Sequence, residues 1–186
     1  MLTVKQRGQS IATFRYIEVN LMETLAAWVP TTPEMEAKIL FGEHIWDCAQ
    51  HADALGKRTH ELRMPLQHSL APVTGYVTIL TRLKTTGPTT ERIAGFYDVL
   101  LPNLGARYRQ YLEQTERLMD APSVRIIDRI LADHDRMIAQ SRELLGELPA
   151  LRLDDAQWRG HFAADERAIA GIVVAEPETA GREARP

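Results

Sequence analysis

Residues 42–58, GEHIWDCAQHADALGKR, combine histidines, acidic residues and the chain's only cysteine in one stretch with helical spacing. At 100° per residue, histidines and leucines share one stripe and apolar residues form a separate flank. The stripe is Leu40, His44, His51 and Leu55, and the flank is Ile39, Trp46 and Ala49. Two interpretations are open, a buried polar pocket and a solvated polar face. The leucines that accompany the histidines favour the pocket.

Glu18 also lies where an apolar side chain is expected. Its neighbours at steps of three and four residues are Ile11, Phe14, Leu21, Leu25 and Trp28. This pattern predicts an amphipathic helix with the Glu18 carboxylate directed towards the interior. A buried carboxylate needs a cation, a hydrogen-bond partner or a proton. The alternative is that Glu18 lies at the edge of the stripe and reaches solvent.

His134 lies within a third apolar stripe, formed by Ile127, Ile130, Leu131, Met137, Ile138 and Leu145. A single histidine on an apolar face is more often a core residue than a metal ligand. The interpretation of His134 as a metal ligand is strengthened because Glu18 and His51 hold equivalent places on other helices. Asp133 and Asp135 are expected to flank the stripe and face solvent. Carboxylate and imidazole together suit Fe, Mn or Zn.

Long helical patterns must position these groups, and proline and glycine mark their ends. We predict helices from about residue 11 to 28, 33 to 63 with Thr32 as N-cap, 90 to 119 with a break at Pro102, and 120 to 148 with Asp120 as cap. The stretch VTGYVTILTRLK is a shorter helix or a strand. The fold class is therefore all-α, with a four-helix bundle and one or two additional short helices as its architecture.

The same patterns divide the chain into four parts. Residues 1–8 are expected to be an N-terminal arm and residues 9–148 the helical bundle. Residues 149–174 are expected to be a packing segment with a short helix, and residues 175–186 a disordered tail.

Composition narrows the class of protein. The chain has 186 residues, a formal net charge of −3 and one cysteine. Nothing in this charge favours nucleic acid as a partner. A single cysteine allows no intrachain disulfide, so a cytoplasmic location is expected. No apolar run is long enough for a membrane span, so no membrane partner is expected. A homodimer is a reasonable expectation for a bundle with additional helices.

The pattern resembles the ferritin-like superfamily of diiron-carboxylate proteins. In that superfamily one helix gives a Glu and the next an ExxH pair, and the third and fourth helices repeat the arrangement. Glu18 fits the first Glu, and WDCAQHA resembles the second helix with His51 as the ligand histidine. DAPSVRIIDRILADHDRMI resembles the fourth helix. Cys48 and His134 stand where the superfamily has ligand Glu residues, and Met137 where it has a histidine.

The resemblance implies a metal-binding protein, of the oxidoreductase or oxygenase class, that acts on a small-molecule ligand. Glu18, Asp47, His51 and His134 would bind the metal, and His44 would be an outer base or a fifth ligand. Fe or Mn is the expected ion, with Zn or Cu as further options. The alternative is a metal-free pseudo-ferritin, a binding, scaffold or oligomerisation module in which these groups form a hydrogen-bond network. Whether the protein is an enzyme stays open.

Overall fold

The computed structural model describes residues 1–174, and the polypeptide there is α-helical without a strand. The α-helices are α1 Val4–Trp28, α2 Met35–Glu61, α3 Thr74–Lys84, α4 Thr89–Ile93, α5 Leu101–Gln114, α6 Ala121–Glu147 and α7 Ala156–Arg167. A π-helical segment, Ala94–Leu100, joins α4 to α5. Two short 3₁₀ turns cover Val29–Thr31 and Pro149–Leu151. The predicted all-α class is confirmed. The four predicted sequence divisions stay predictions, and the last one, 175–186, lies outside the described residues.

Apolar side chains from α1, α2, α5 and α6 meet in one core, to which α3 and α7 add smaller faces. α1 packs along α2, α2 packs against α6, and α6 packs against α5. Side chains complete the contact between α1 and α5, where the Phe14 and Tyr108 ring centroids lie 4.6 Å apart. The four long helices therefore direct their interior faces towards the same region.

α1 begins earlier than the sequence pattern indicates. Thr3 and Gln6 form a reciprocal capping box, in which the Thr3 hydroxyl accepts from the Gln6 N–H at 3.2 Å and the Gln6 side chain accepts from the Thr3 N–H at 2.9 Å. Residues 4–8 therefore belong to the first turns of α1.

The predicted N-cap of α2 is wrong. α2 begins at Met35 with Glu34 in the N-cap position. The Thr32 hydroxyl instead donates to the Trp28 carbonyl at 2.9 Å and accepts from Arg92 Nη1 at 2.9 Å. Thr32 thus closes the end of α1 and binds a buried arginine.

The structure also gives the form of α3 and the bounds of the helix around Pro102. α3 is a helix and not a strand, and within it the Thr78 and Thr81 hydroxyls donate to carbonyls four residues earlier. Pro102 lies in the first turn of α5, directly after the π-helical segment. α5 ends at Gln114 and not at 119, because Thr115 adopts an extended backbone conformation.

α7 lies within residues 149–174. The Asp155 carboxylate accepts from the backbone N–H groups of Gln157 and Trp158, both at 2.9 Å, and this caps the helix. α7 packs against α3 and the π-helical segment. Within residues 1–174, no helix combines the length and the hydrophobicity that crossing a membrane requires.

Candidate metal centre

The histidine stripe of α2 faces the interior and its apolar flank faces solvent. Leu40, His44, His51 and Leu55 are buried. Ile39 and Trp46 remain 58% and 66% exposed. Of the two interpretations of this helix, the buried polar pocket is therefore the one that the structure has. Burial of imidazoles in preference to available apolar side chains requires polar partners in the core.

Glu18, His51 and His134 meet in the core between α1, α2 and α6. We call these three residues the triad. His51 Nδ1 lies 3.1 Å from Glu18 Oε2, and His134 Nε2 lies 3.4 Å from Glu18 Oε1. All three side chains are at most 2% exposed. The Tyr108 hydroxyl of α5 donates to Glu18 Oε1 at 2.6 Å. All four long helices thus contribute one side chain to the surroundings of one carboxylate.

His51 lies between two carboxylates. Its Nδ1 faces Glu18, and its Nε2 lies 3.2 Å from Asp133 Oδ2. Ionised carboxylates only accept hydrogen bonds, so both bonds form together only when His51 carries a proton on each nitrogen. Burial lowers the pKa of His51, but the charges of Glu18 and Asp133 and their hydrogen bonds outweigh it and raise the pKa. The two hydrogen bonds and the raised pKa both favour the protonated, imidazolium form of His51.

The same pairing controls the ionisation of Glu18. Burial alone would raise the pKa of this carboxyl, but the charge and the hydrogen bond of His51, together with the nearby His134 ring, lower it overall. Glu18 is consequently an anion at neutral pH. The negative charge of Glu18 can be balanced by a protonated imidazole or by a metal ion.

His134 is the unsatisfied member of the triad. Both of its ring nitrogens are buried without a hydrogen-bond partner among the described residues. The ring stacks on Tyr108, with centroids 5.8 Å apart, and lies edge-on to the His51 ring at 5.6 Å. Buried polar atoms without a partner are rare in native structures. This pair of nitrogens is therefore the feature of the core that most needs a further ligand.

The triad offers one oxygen and two nitrogen ligand atoms within 4.8 Å of one another. Neighbouring ligands of an ion bound at 2.0–2.2 Å lie about 3.0–3.5 Å apart in tetrahedral or octahedral geometry. His51 Nδ1 lies at such a distance from Glu18 Oε2, and His134 Nε2 lies at such a distance from the other carboxylate oxygen, Oε1. Two imidazoles and one carboxylate form the donor set of many non-haem iron and zinc sites. The residues therefore fit a single transition-metal ion.

Asp47, the fourth predicted ligand, lies outside this group. Its carboxylate pairs with Arg136 Nη2 at 3.0 Å, and Arg136 also binds Asp133 at 2.9 Å. Asp47 is thus joined to the triad through Arg136 and Asp133, in a chain of alternating charges. The sequence pattern predicted that Asp133 faces solvent, and the structure instead places its carboxylate against His51 and Arg136.

His44 has partners of its own. Its Nε2 lies 3.0 Å from Gln140 Oε1, so it donates, and its Nδ1 accepts from the Tyr97 hydroxyl at 2.7 Å. Burial lowers the pKa of His44, which keeps the ring neutral. Cys48 is fully buried, and burial raises the pKa of its thiol. Met137 belongs to the apolar core.

A second polar cluster, which we call the Asp120 network, holds the ends of α2, α5 and α6 together. Asp120 Oδ1 accepts from Arg58 Nη2 at 2.9 Å and from Ser123 Oγ at 2.7 Å. Oδ2 accepts from Tyr111 at 2.6 Å and Thr115 at 2.8 Å. Asp120 occupies the predicted N-cap position of α6, but its carboxylate binds side chains and no backbone N–H group. The network is structural, since all of its acceptors are already satisfied.

Sequence patterns missed three partners that complete these sites: Tyr97, Tyr108 and Asp133. A tyrosine within an apolar stripe was the available signal, because a buried hydroxyl requires a partner.

Comparison with known protein families, with curated proteins and with solved structures finds no match for this chain.

Proposed function

We propose that this protein binds one transition-metal ion through Glu18, His51 and His134. The observation that carries the proposal is that three buried ligand atoms lie within 4.8 Å of one another. One of them belongs to His134, whose ring nitrogens have no hydrogen-bond partner among the described residues. Fe(II) is the ion we favour, because two histidines and one carboxylate with open positions form the usual site of non-haem iron oxygenases. A ferritin-like origin of the bundle agrees with this assignment.

Bound iron would supply one-electron chemistry and an open coordination position, which makes oxidation of a small molecule the reaction class we propose. The chain's own residues have separate tasks. Glu18 supplies the anionic ligand, and the Tyr108 hydroxyl holds the carboxylate oxygen that faces His134. Asp133 holds His51 through its second nitrogen, as carboxylates do for many metal-binding histidines. His44, neutral and paired with Tyr97, is a proton acceptor outside the triad.

A metal-free binding or scaffold module is the second candidate. It is favoured by the hydrogen bonds that His51 makes with both Glu18 and Asp133, which already satisfy an imidazolium ion. On this alternative His134 is a core residue that packs on Tyr108, and the charge network holds the helices in register. The two candidates differ in what His134 does.

Metal analysis of the purified protein separates them. The protein is produced in iron-supplemented medium and purified without chelator or metal-affinity resin, and its metals are measured by mass spectrometry. We expect about one equivalent of iron per chain in the native protein. We expect a loss of at least about tenfold in His134→Gln, because a three-residue site rarely tolerates the loss of one ligand.

His60→Gln is the matched control. His60 lies on α2 like His51, is exposed, and is not part of the triad. Its variant is expected to retain the iron. Circular dichroism checks the fold of each variant, and His134→Gln breaks no hydrogen bond within the described residues. Absence of any metal from the native protein and from protein reconstituted with Fe(II), Mn(II) or Zn(II) would establish the metal-free candidate.

A further inference from the structure

A small pocket opens between α2 and α6 with His51 in its wall. Its volume is about 160 Å³. Gln50, His51 and Ala54 line it from α2, and Arg125, Ile126, Arg129 and Ile130 line it from α6. The pocket thus reaches the outer face of a triad residue from the protein surface.

The lining has two chemically different parts. Ala54, Ile126 and Ile130 provide aliphatic surface, and the pocket lining contains no acidic residue. Arg125 and Arg129 lie one helical turn apart on the exposed face of α6, so both guanidinium groups flank the same opening. Paired guanidinium groups beside an apolar wall are complementary to an anion that carries a hydrocarbon body.

The charges around the opening leave the arginines available. Arg125 has no ion-pair or hydrogen-bond partner among residues 1–174, and Arg129 lies 3.7 Å from Asp133 in a loose contact. Asp133 itself is bound by Arg136 at 2.9 Å and by His51 at 3.2 Å. The nearby Asp53 of α2 is paired with Lys57 at 2.6 Å. Arg125 and Arg129 therefore give the lining a positive charge, and no acidic residue belongs to it.

We propose that this pocket binds a compact organic monoanion, with its carboxylate on Arg125 and Arg129 and its apolar body against Ile126 and Ile130. The bound molecule would lie beside His51, at the edge of the triad. Its assignment as the substrate class of the protein rests on the proposed metal site, but the binding step itself does not. A volume of about 160 Å³ limits the ligand to the size of one aromatic ring with a carboxylate.

Isothermal titration calorimetry with benzoate on metal-free protein tests the binding step. We expect saturable 1:1 binding with a dissociation constant of about 1 mM or tighter. Benzyl alcohol, which has nearly the same size but no charge, is expected to bind about tenfold more weakly. Arg125→Ala with Arg129→Ala is expected to remove this preference, and Ala54→Leu to block the pocket. Arg109→Ala is the control, since Arg109 is 53% exposed on α5 and does not line the pocket.

Histidine ring signals in ¹⁵N NMR give a second readout. Benzoate is expected to shift the His51 ring resonances and to leave those of the exposed His60 unchanged. Equal binding of benzyl alcohol, unchanged binding in Ala54→Leu, or no saturation at about 10 mM would overturn the proposal. Because these titrations use metal-free protein, they are independent of the metal analysis. Saturable benzoate binding together with no metal in the analysis would overturn the proposed function alone, and one equivalent of metal together with no saturable benzoate binding would overturn this inference alone.

Discussion

Replacement of Asp120 by Asn should destabilise the fold strongly at neutral pH. The carboxylate is fully buried and accepts four side-chain hydrogen bonds, two on each oxygen. Asn keeps one acceptor oxygen, but its NH₂ group would face the hydroxyl groups of Tyr111 and Thr115. It also leaves Arg58, which is only 8% exposed, without its buried counter-charge. Each lost hydrogen bond to a charged acceptor costs about 1.5–3 kcal/mol, and a broken buried ion pair costs about 3–5 kcal/mol. Counted either as two lost hydrogen bonds or as one broken ion pair, the free energy of unfolding should fall by about 3–5 kcal/mol.

Urea denaturation followed by circular dichroism measures this loss. With a denaturant slope of about 2 kcal/mol/M, the midpoint should fall by roughly 2 M. The control is Asp128→Asn, because Asp128 is 52% exposed and lies 3.6 Å from Arg117. That change should alter the free energy of unfolding by less than about 0.5 kcal/mol.

The pH dependence provides the second half of the test. Burial raises the pKa of Asp120, but its hydrogen bonds with Ser123, Tyr111, Thr115 and Arg58 outweigh this and lower the pKa. A lowered folded-state pKa contributes stability that is fully present above the unfolded value of about 3.9 and is lost as pH falls through the folded value. The native protein should therefore lose more stability than Asp120→Asn between about pH 5 and pH 2. A cost below about 1 kcal/mol at pH 7, or equal pH slopes in the two proteins, would refute this account of the network.

Further predictions concern the triad. Tyr108→Phe should destabilise the metal-free protein by about 1.5–3 kcal/mol in urea denaturation, because it removes the hydrogen bond to the charged Glu18 and keeps the ring contacts; a change no larger than that of the partly exposed Tyr16→Phe would contradict it. Metal affinity, measured by competition with a chelator, should fall by up to about tenfold per pH unit below the raised pKa of His51, because the ion must displace a proton from that ring; an affinity that is constant from about pH 8 to pH 6 would exclude His51 as a ligand.

The directions of side chains were predictable from the sequence, and their neighbours were not. Helical spacing alone places Glu18, His51 and His134 on interior faces, and the structure brings them together. The same spacing placed Asp133 towards solvent, because helical angles do not include the position of the facing helix. Asp133 is 22% exposed and reaches His51 from the rim of the α2–α6 contact.

The choice between a buried and a solvated polar face on α2 depended on tertiary packing. Hydrophobicity favours burial of Ile39 and Trp46, yet the structure exposes them and buries two histidines. The histidines find partners on three other helices: Glu18 of α1, Asp133 of α6 and, through the π-helical segment, Tyr97. Intrinsic hydrophobicity is a property of single residues, whereas the free energy of this core depends on matched pairs.

Arg58 illustrates the same limit. A basic residue near the end of a helix commonly lies on the surface and complements the helix dipole. Arg58 is instead 8% exposed and binds Ser123 and Asp120, residues more than 60 positions later in the chain. No local pattern encodes a contact between elements so far apart in sequence.

The π-helical segment Ala94–Leu100 has a consequence for sequence comparison. A π turn closes on the fifth residue and not on the fourth, so it holds one residue more than an α turn. α4 and α5 consequently have different α-helical registers, although the helical backbone continues from one to the other without a break. In evolutionary terms the segment behaves as an insertion. An alignment of this chain with a homologous helix that is α-helical throughout needs a gap within 94–100, and without that gap the residues of α4 and the residues of α5 cannot both be matched to their counterparts.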